Sequence, residues 1–162
     1  KPSVAQTNHA LQLVVNDLLE FWEHGVYFSR TYKHRLGRLF KAMLVPLIAD
    51  MVAVRQVIGL PISTTAHYFC TFCDLDYDDI DIINREEWPL KDATEFRQFA
   101  TLWKEAQLET HQKEIFQAFG VRWSALLDLP YWNPVLFSVI DSMHALDLNL
   151  FQNHVRNIFK IN

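Results

Sequence analysis

The run LFKAMLVPLIAD, residues 39–50, is the most apolar stretch of the chain, with Lys41 as its only charge before Asp50 closes it. A strand points alternate side chains to opposite faces, so it can be apolar throughout only if both faces are covered. The run therefore predicts a strand buried between layers, although its periodicity alone is also compatible with a buried helix. Pro46 lacks the N–H that a central strand donates, which places it at an edge or a bulge. A core strand ending at Asp50 is the first expectation.

Most of the remaining pattern is helical. In VAQTNHALQLVVNDLLEFWEHG the residues Leu11, Val14, Val15, Leu18, Leu19 and Trp22 recur at helical spacing, with Ser3 placed as N-cap and Gly25 as stop. VYFS predicts a short strand, and RTYKHRLGR a loop or turn around Gly37. VAVRQVIG predicts a short helix ending at Gly59, followed by an extended or looped LPISTTAHYF. The acidic DLDYDDIDIINREEW reads as irregular surface with room for one strand; it lacks the Gly and closing Glu of a calcium loop.

From Thr94, EFRQFATLWKEAQLETHQKEIFQAFG predicts one long amphipathic helix with Phe96, Phe99, Leu102, Trp103, Ala106, Phe116 and Phe119 on its apolar stripe. RWSALLDL predicts a short helix ending at Pro130, and a last helix is expected from about Val135 to Ile161. Trp103, Trp123, Tyr131 and Trp132 are expected in the helical core. The fold class read from these patterns is α+β, mainly α.

With 50% hydrophobic residues and only 4 glycines in 162, the chain is too apolar for disorder and long enough for one core. No run of about eighteen uncharged apolar residues occurs, so no membrane span is expected. Nor does a basic-then-apolar leader open the chain, which predicts an intracellular protein. The opening Lys1-Pro2-Ser3 and an end at Asn162 within a helical pattern predict a piece of something longer. A net charge of -4 opposes a whole-surface grip on DNA. Arg30, Lys33, Arg35, Arg38 and Lys41 nevertheless cluster in one short stretch, as phosphate-contacting residues or as a plain solvated loop.

Both cysteines lie in HYFCTFC, residues 67–73. In a reducing compartment a C-x-x-C binds metal or exchanges electrons more often than it forms a structural disulfide. Two buried thiols without metal are the plain alternative. A thioredoxin-like pair would follow a strand and open a helix, a context not predicted here.

Four strings in order, VPLIADMVAVRQVIG, AHYFCTFCDL, WSALLDLPYW and VIDSMHAL, resemble the CACTA (En/Spm-type) DNA transposases, most of all the transposase-derived proteins of mushroom-forming fungi. The resemblance runs from about Phe21 to Asn162. It implies an RNase H-like core interrupted by a large helical insertion. Residues 1–59 would be part of that core, 60–91 the C-x-x-C knuckle with the acidic loop, and 92–162 the helical insertion. In such enzymes three carboxylates hold two divalent ions, here magnesium, that cut and rejoin DNA at transposon ends in the nucleus.

By this resemblance Asp50 matches the second carboxylate, Cys70 and Cys73 the C-x-x-C, and Asp141 with His144 a D-x-x-H. A structural zinc ion held by Cys70, Cys73 and His144 is expected to pin the insertion to the core, with Asp141, His67 or His154 as fourth ligand. His154 would lie roughly 15 Å along an unbroken helix from His144, too far to share its ion. The first catalytic Asp would lie before Lys1 and the last acidic residue after Asn162, so this chain is expected not to cut DNA alone. Met51-Val52 and Ala145 stand where the family has Pro and Asn, which fits a decayed or repurposed copy that binds or scaffolds without chemistry. On the residues alone, Asp50 and Asp141 could each be a helix cap. Exposed apolar edges of a partial core predict self-association.

Overall fold

A computed structural model describes residues 2–63 and 67–161. The protein is a mixed α+β molecule, mainly helical, with four short strands among the described residues. Helix α1, Val4–Glu23, begins where the sequence places it: the Ser3 hydroxyl accepts from Gln6 N, and the Gln6 side chain returns a bond to Ser3 N at 2.8 Å. That reciprocal box satisfies two amides that a helix start leaves open. Gly25 follows its end at φ 78, in the left-handed region that favours glycine.

Strands β1, Val26–Phe28, and β2, Arg38–Phe40, form an antiparallel hairpin with Arg30, Lys33 and Arg35 on its connection, Arg38 opening β2 and Lys41 directly after it. Strand β3, Leu47–Ala49, leads directly into helix α2, Met51–Ile58. Strand β4, Ser138–Ile140, lies parallel to β3, with Leu47 opposite Ser138 and Ala49 opposite Ile140.

Two expectations about this region are corrected. The apolar run 39–50 is not one buried strand: Leu39, Met43, Val45 and Ile48 are exposed, and only residues 47–49 join the parallel pair. The final helix does not start at Val135, because residues 138–140 are drawn into β4 beside β3. Helical structure resumes as π-wound turns at Met143–Phe151 and His154–Ile158.

The predicted helix over 95–120 is two helices, α3 (Ala93–Glu105) and α4 (Glu109–Phe119). Ala106 adopts an extended conformation, ψ 116, and the Gln112 side chain donates to the freed carbonyls of Trp103 and Ala106. An unbroken helix would hold Phe99 and Phe119 about 30 Å apart. Their rings instead stack at 4.0 Å with an 8° interplanar angle, so the hairpin buries both stripes against each other. The break has no Pro or Gly to announce it.

The core gathers Val15 of α1, Val54 and Ile58 of α2, Phe96 and Ala100 of α3, and the segment Val121 to Trp132. That segment contains a short 3₁₀ turn, Ala125–Asp128, against which α1 lies. Asn8 pins the two together: its amide donates to Trp123 O at 2.9 Å and accepts from Ala125 N at 3.0 Å. Arg97 of α3 clamps the other side, donating to Leu127 O at 2.8 Å, Leu129 O at 3.0 Å and Trp132 O. Of the four aromatics expected in the core, Trp132 is fully buried, and Trp123 and Tyr131 are half-buried against it. Trp103 lies at the rim of a groove with Phe116 and Arg122.

Candidate functional site

The parallel pair sets two carboxylates at one end of the sheet. Asp50 directly follows Ala49, Asp141 directly follows Ile140, and these two predecessors face each other in register. The Asp141 amide extends the ladder by donating to Ala49 O at 2.9 Å. In parallel sheets the carboxyl ends of the strands are where ligands bind, because the chain leaves toward separate helices and opens a crevice there.

Each carboxylate also does local work. Asp50 caps α2, accepting from Ala53 N at 2.8 Å. Asp141 accepts from Met143 N at 3.2 Å through one oxygen, and its other oxygen meets His144 Nδ1 at 2.5 Å. That His144 hydrogen bond, with the Met143 amide behind it, holds the Asp141 carboxyl below the usual carboxylate range. With Nδ1 taken by Asp141, a further ligand at His144 would meet Nε2. Asp50, Gln56, Ile140, His144 and Asn149 line a cleft of about 510 Å³ at this end. Asn149 donates to His144 O at 2.6 Å, a side-chain bond within the Met143–Phe151 segment.

The cysteines stand elsewhere. Cys70 is half-buried and Cys73 buried, and both are free thiols. The Cys70 sulfur accepts from Phe72 N at 3.4 Å and Cys73 N at 3.2 Å, the amide-to-sulfur turn that a C-x-x-C knuckle forms. Burial and the hydrogen bond to Cys70 push the Cys73 thiol up to about 11, against the pull of Lys91 and Arg85. They line a cleft of about 700 Å³ with Phe72, Arg85, Glu86, Trp88 and Leu90.

The zinc expectation meets a shortage of ligands. A closed zinc site takes four donors, and among the described residues no three His, Cys, Asp or Glu side chains group to hold an ion. His144 lines the cleft with Asp50, and Asp141 follows the strand residue paired with Ala49, whereas the cysteines line a different cleft. His67 places Nδ1 2.7 Å from Asp76, and His154 Nδ1 lies 3.0 Å from Leu150 O. The cysteines thus supply two ligands, and the described residues do not complete the set. The same holds for magnesium at Asp50.

Arg30, Lys33, Arg35, Arg38 and Lys41 are all exposed. Arg30 and Arg35 flank a solvent-open hollow with Thr31 and Tyr32, Arg38 approaches His34 Nε2 at 3.1 Å, and Lys41 donates to Glu23 O at 2.8 Å. None pairs with a carboxylate among the described residues, which leaves their charge available to an anionic partner.

Two buried groups escaped the sequence reading. Arg55, 1% exposed in α2, donates from Nε to Thr71 Oγ1 at 3.2 Å, while its Nη1 finds no partner among the described residues. Burial lowers its pKa, and the nearby Cys70 opposes that. Lys91, its side chain 7% exposed, reaches Asp74 at 2.6 Å. An arginine on the apolar face of VAVRQVI was the available signal, since a charge there must meet a partner inside. Comparison with protein-family models, curated proteins and solved structures finds no match to this chain. No helix among the described residues is long and apolar enough to cross a membrane.

Proposed function

We propose that this chain is a piece of the catalytic region of a DNA transposase, an RNase H-like core bearing a helical insertion. The observation that carries this reading is the parallel pairing of β3 with β4. It brings the strings VPLIAD and VIDSMHAL, separated by some ninety residues of sequence, to adjacent strand ends. A nuclease of this class needs carboxylates gathered at one sheet edge, because charge develops on the attacking and leaving oxygens of one phosphate. Asp50 and Asp141 with His144 stand at such an edge.

In a complete enzyme, divalent ions would activate water and the leaving oxygen there; the described residues do not by themselves hold them. What this chain's own residues do is limited and specific. Asp50 presents a carboxylate while capping α2, Asp141 orients His144, and the exposed basic hairpin offers phosphate contacts. The isolated chain is expected to bind DNA weakly and leave it uncut.

One observation favours a second reading, a transposase-derived scaffold without chemistry. Asp50 and Asp141 are both occupied by backbone amides and His144, a role that persists without any metal. The test begins with fluorescence anisotropy of a labelled duplex. Binding at about 50 mM salt is expected, with a log–log salt slope that flattens by about 2.7 when Arg30, Lys33 and Arg35 are all changed to Ala, on about 0.9 per phosphate contact. No binding at that salt removes DNA as the partner. In the longer protein, cleavage abolished by Asp50→Asn with folding intact supports the enzyme, and cleavage absent from both supports the scaffold.

A further inference from the structure

Cys70 and Cys73 are used by neither the strand-end cleft nor the basic hairpin. Two backbone amides converge on one sulfur: Phe72 N and Cys73 N donate to Cys70 Sγ at 3.4 and 3.2 Å. Such donors suit a sulfur that carries negative charge. The surroundings have the same preference. Arg55 is buried near Cys70, its Nη1 without a partner among the described residues, and Arg85 lines the cleft into which both cysteines open. Lys91, near Cys73, is paired with Asp74, and among the described residues Glu86 is the one carboxylate lining the cleft. Arg55 and Arg85 oppose entry of a dication to a two-sulfur site.

The frame around the pair is firm on both sides. Thr71, between the cysteines, is held by Arg55 of α2. Asp74 N donates to Pro89 O at 2.8 Å and Lys91 N to Phe72 O at 3.0 Å, so the knuckle is laced to residues 89–91. The sulfurs are therefore kept together rather than left to meet by chance.

We propose that Cys70 and Cys73 form a dithiol–disulfide site that exchanges with small-molecule disulfides of the glutathione type. Cys70 is the attacking sulfur and Cys73 the resolving one. The Cys70 thiolate attacks one sulfur of oxidised glutathione, the S–S bond of the oxidant breaks, and one glutathione leaves as thiolate. Cys73 loses its proton to solvent and attacks the Cys70 sulfur, which expels the second glutathione and closes the Cys70–Cys73 bond. Two electrons pass from the protein sulfurs to the oxidant, yielding two reduced glutathiones. This proposal is independent of the transposase reading.

The test is intact-mass spectrometry of the reduced 162-residue chain after incubation with oxidised and reduced glutathione, beside a zinc assay of the untreated protein. The expected result is loss of two hydrogens without an adduct. Cys73→Ser should hold one glutathione on Cys70, and Cys70→Ser should acquire adduct about tenfold more slowly at Cys73. Should either variant fail to fold by circular dichroism, peptide mapping of iodoacetamide-treated wild type decides: Cys70 labelled first supports the assignment, and equal labelling overturns it. Two free thiols that persist under excess oxidised glutathione also overturn it. So does one zinc per chain that must be chelated before either thiol reacts.

Discussion

The Asp141 amide donates to the Ala49 carbonyl at 2.9 Å, one step past the last in-register pair of β3 and β4. This bond fixes which side chains share the strand-end cleft. It sets Asp141 at the end of β4 beside Asp50 and brings His144, bonded to Asp141, into the cleft that Asp50 lines, whereas the D-x-x-H spacing by itself left the pair free to join the cysteines.

Asp50 serves as a cap whatever else it does, and the two roles separate by mutation. Asp50→Ala should lower stability by about 1 kcal/mol, whereas Asp50→Asn, also a good N-cap, should cost only a few tenths. Urea denaturation with an unchanged m-value would measure both. Equal losses in the two variants would mean that the charge, rather than the Ala53 amide bond, is what stabilises α2.

Asp141 predicts an acid-sensitive contribution to stability. Its folded pKa lies below the ordinary 3.8, chiefly through the His144 hydrogen bond. A depressed carboxylate stabilises the fold above its unfolded pKa, and that stabilisation is lost as pH falls through the folded value. The Tm difference between wild type and Asp141→Asn should thus be present at pH 6 and shrink below about pH 4. A difference that stays constant down to pH 2 would remove the carboxylate from the account.

Arg97 holds three carbonyls of the 127–132 segment, and its burial lowers its own pKa. Arg97→Met should cost about 3 kcal/mol, because carbonyls that lose a charged donor in a half-buried setting are left unsatisfied. Arg97→Lys should recover little of it, since one ammonium cannot reproduce the planar fork. Chemical denaturation would show this; a loss under about 1 kcal/mol would mean water replaces the fork.

Gly59 closes α2 at φ 88, and a Cβ there would lie 2.2 Å from Arg122 O. That carbonyl belongs to backbone already tied to Gly59 by the Arg122 N to Gly59 O bond of 2.9 Å, so it cannot withdraw cheaply. Gly59→Ala should destabilise by about 2 kcal/mol or more, with both φ strain and the clash contributing. A Tm within a degree of wild type would show that the 59–122 contact yields.

What could be read in the sequence was local. Ser3 with Gln6 at the start of α1, Asp50 and Gly59 bounding α2, and the α1 stripe that buries Val15 all depend on groups a few residues apart. The 105–109 break was not legible, because its cause is Phe119 stacking on Phe99 across the hairpin rather than a breaker residue. Nor was β4, whose three residues form a strand only because β3 lies beside them. The sequence by itself therefore determined helices α1 and α2 with their caps, and the chemical inventory of Asp50, Asp141, His144 and the cysteine pair. Only the tertiary structure decided how that inventory is shared: His144 to the strand-end cleft, and Arg55 to the cysteines. The reason is physical, since local hydrogen bonds are set by spacing along the chain, whereas a contact across some ninety residues is set by which buried surfaces and backbone ladders best offset the entropy of closing that loop.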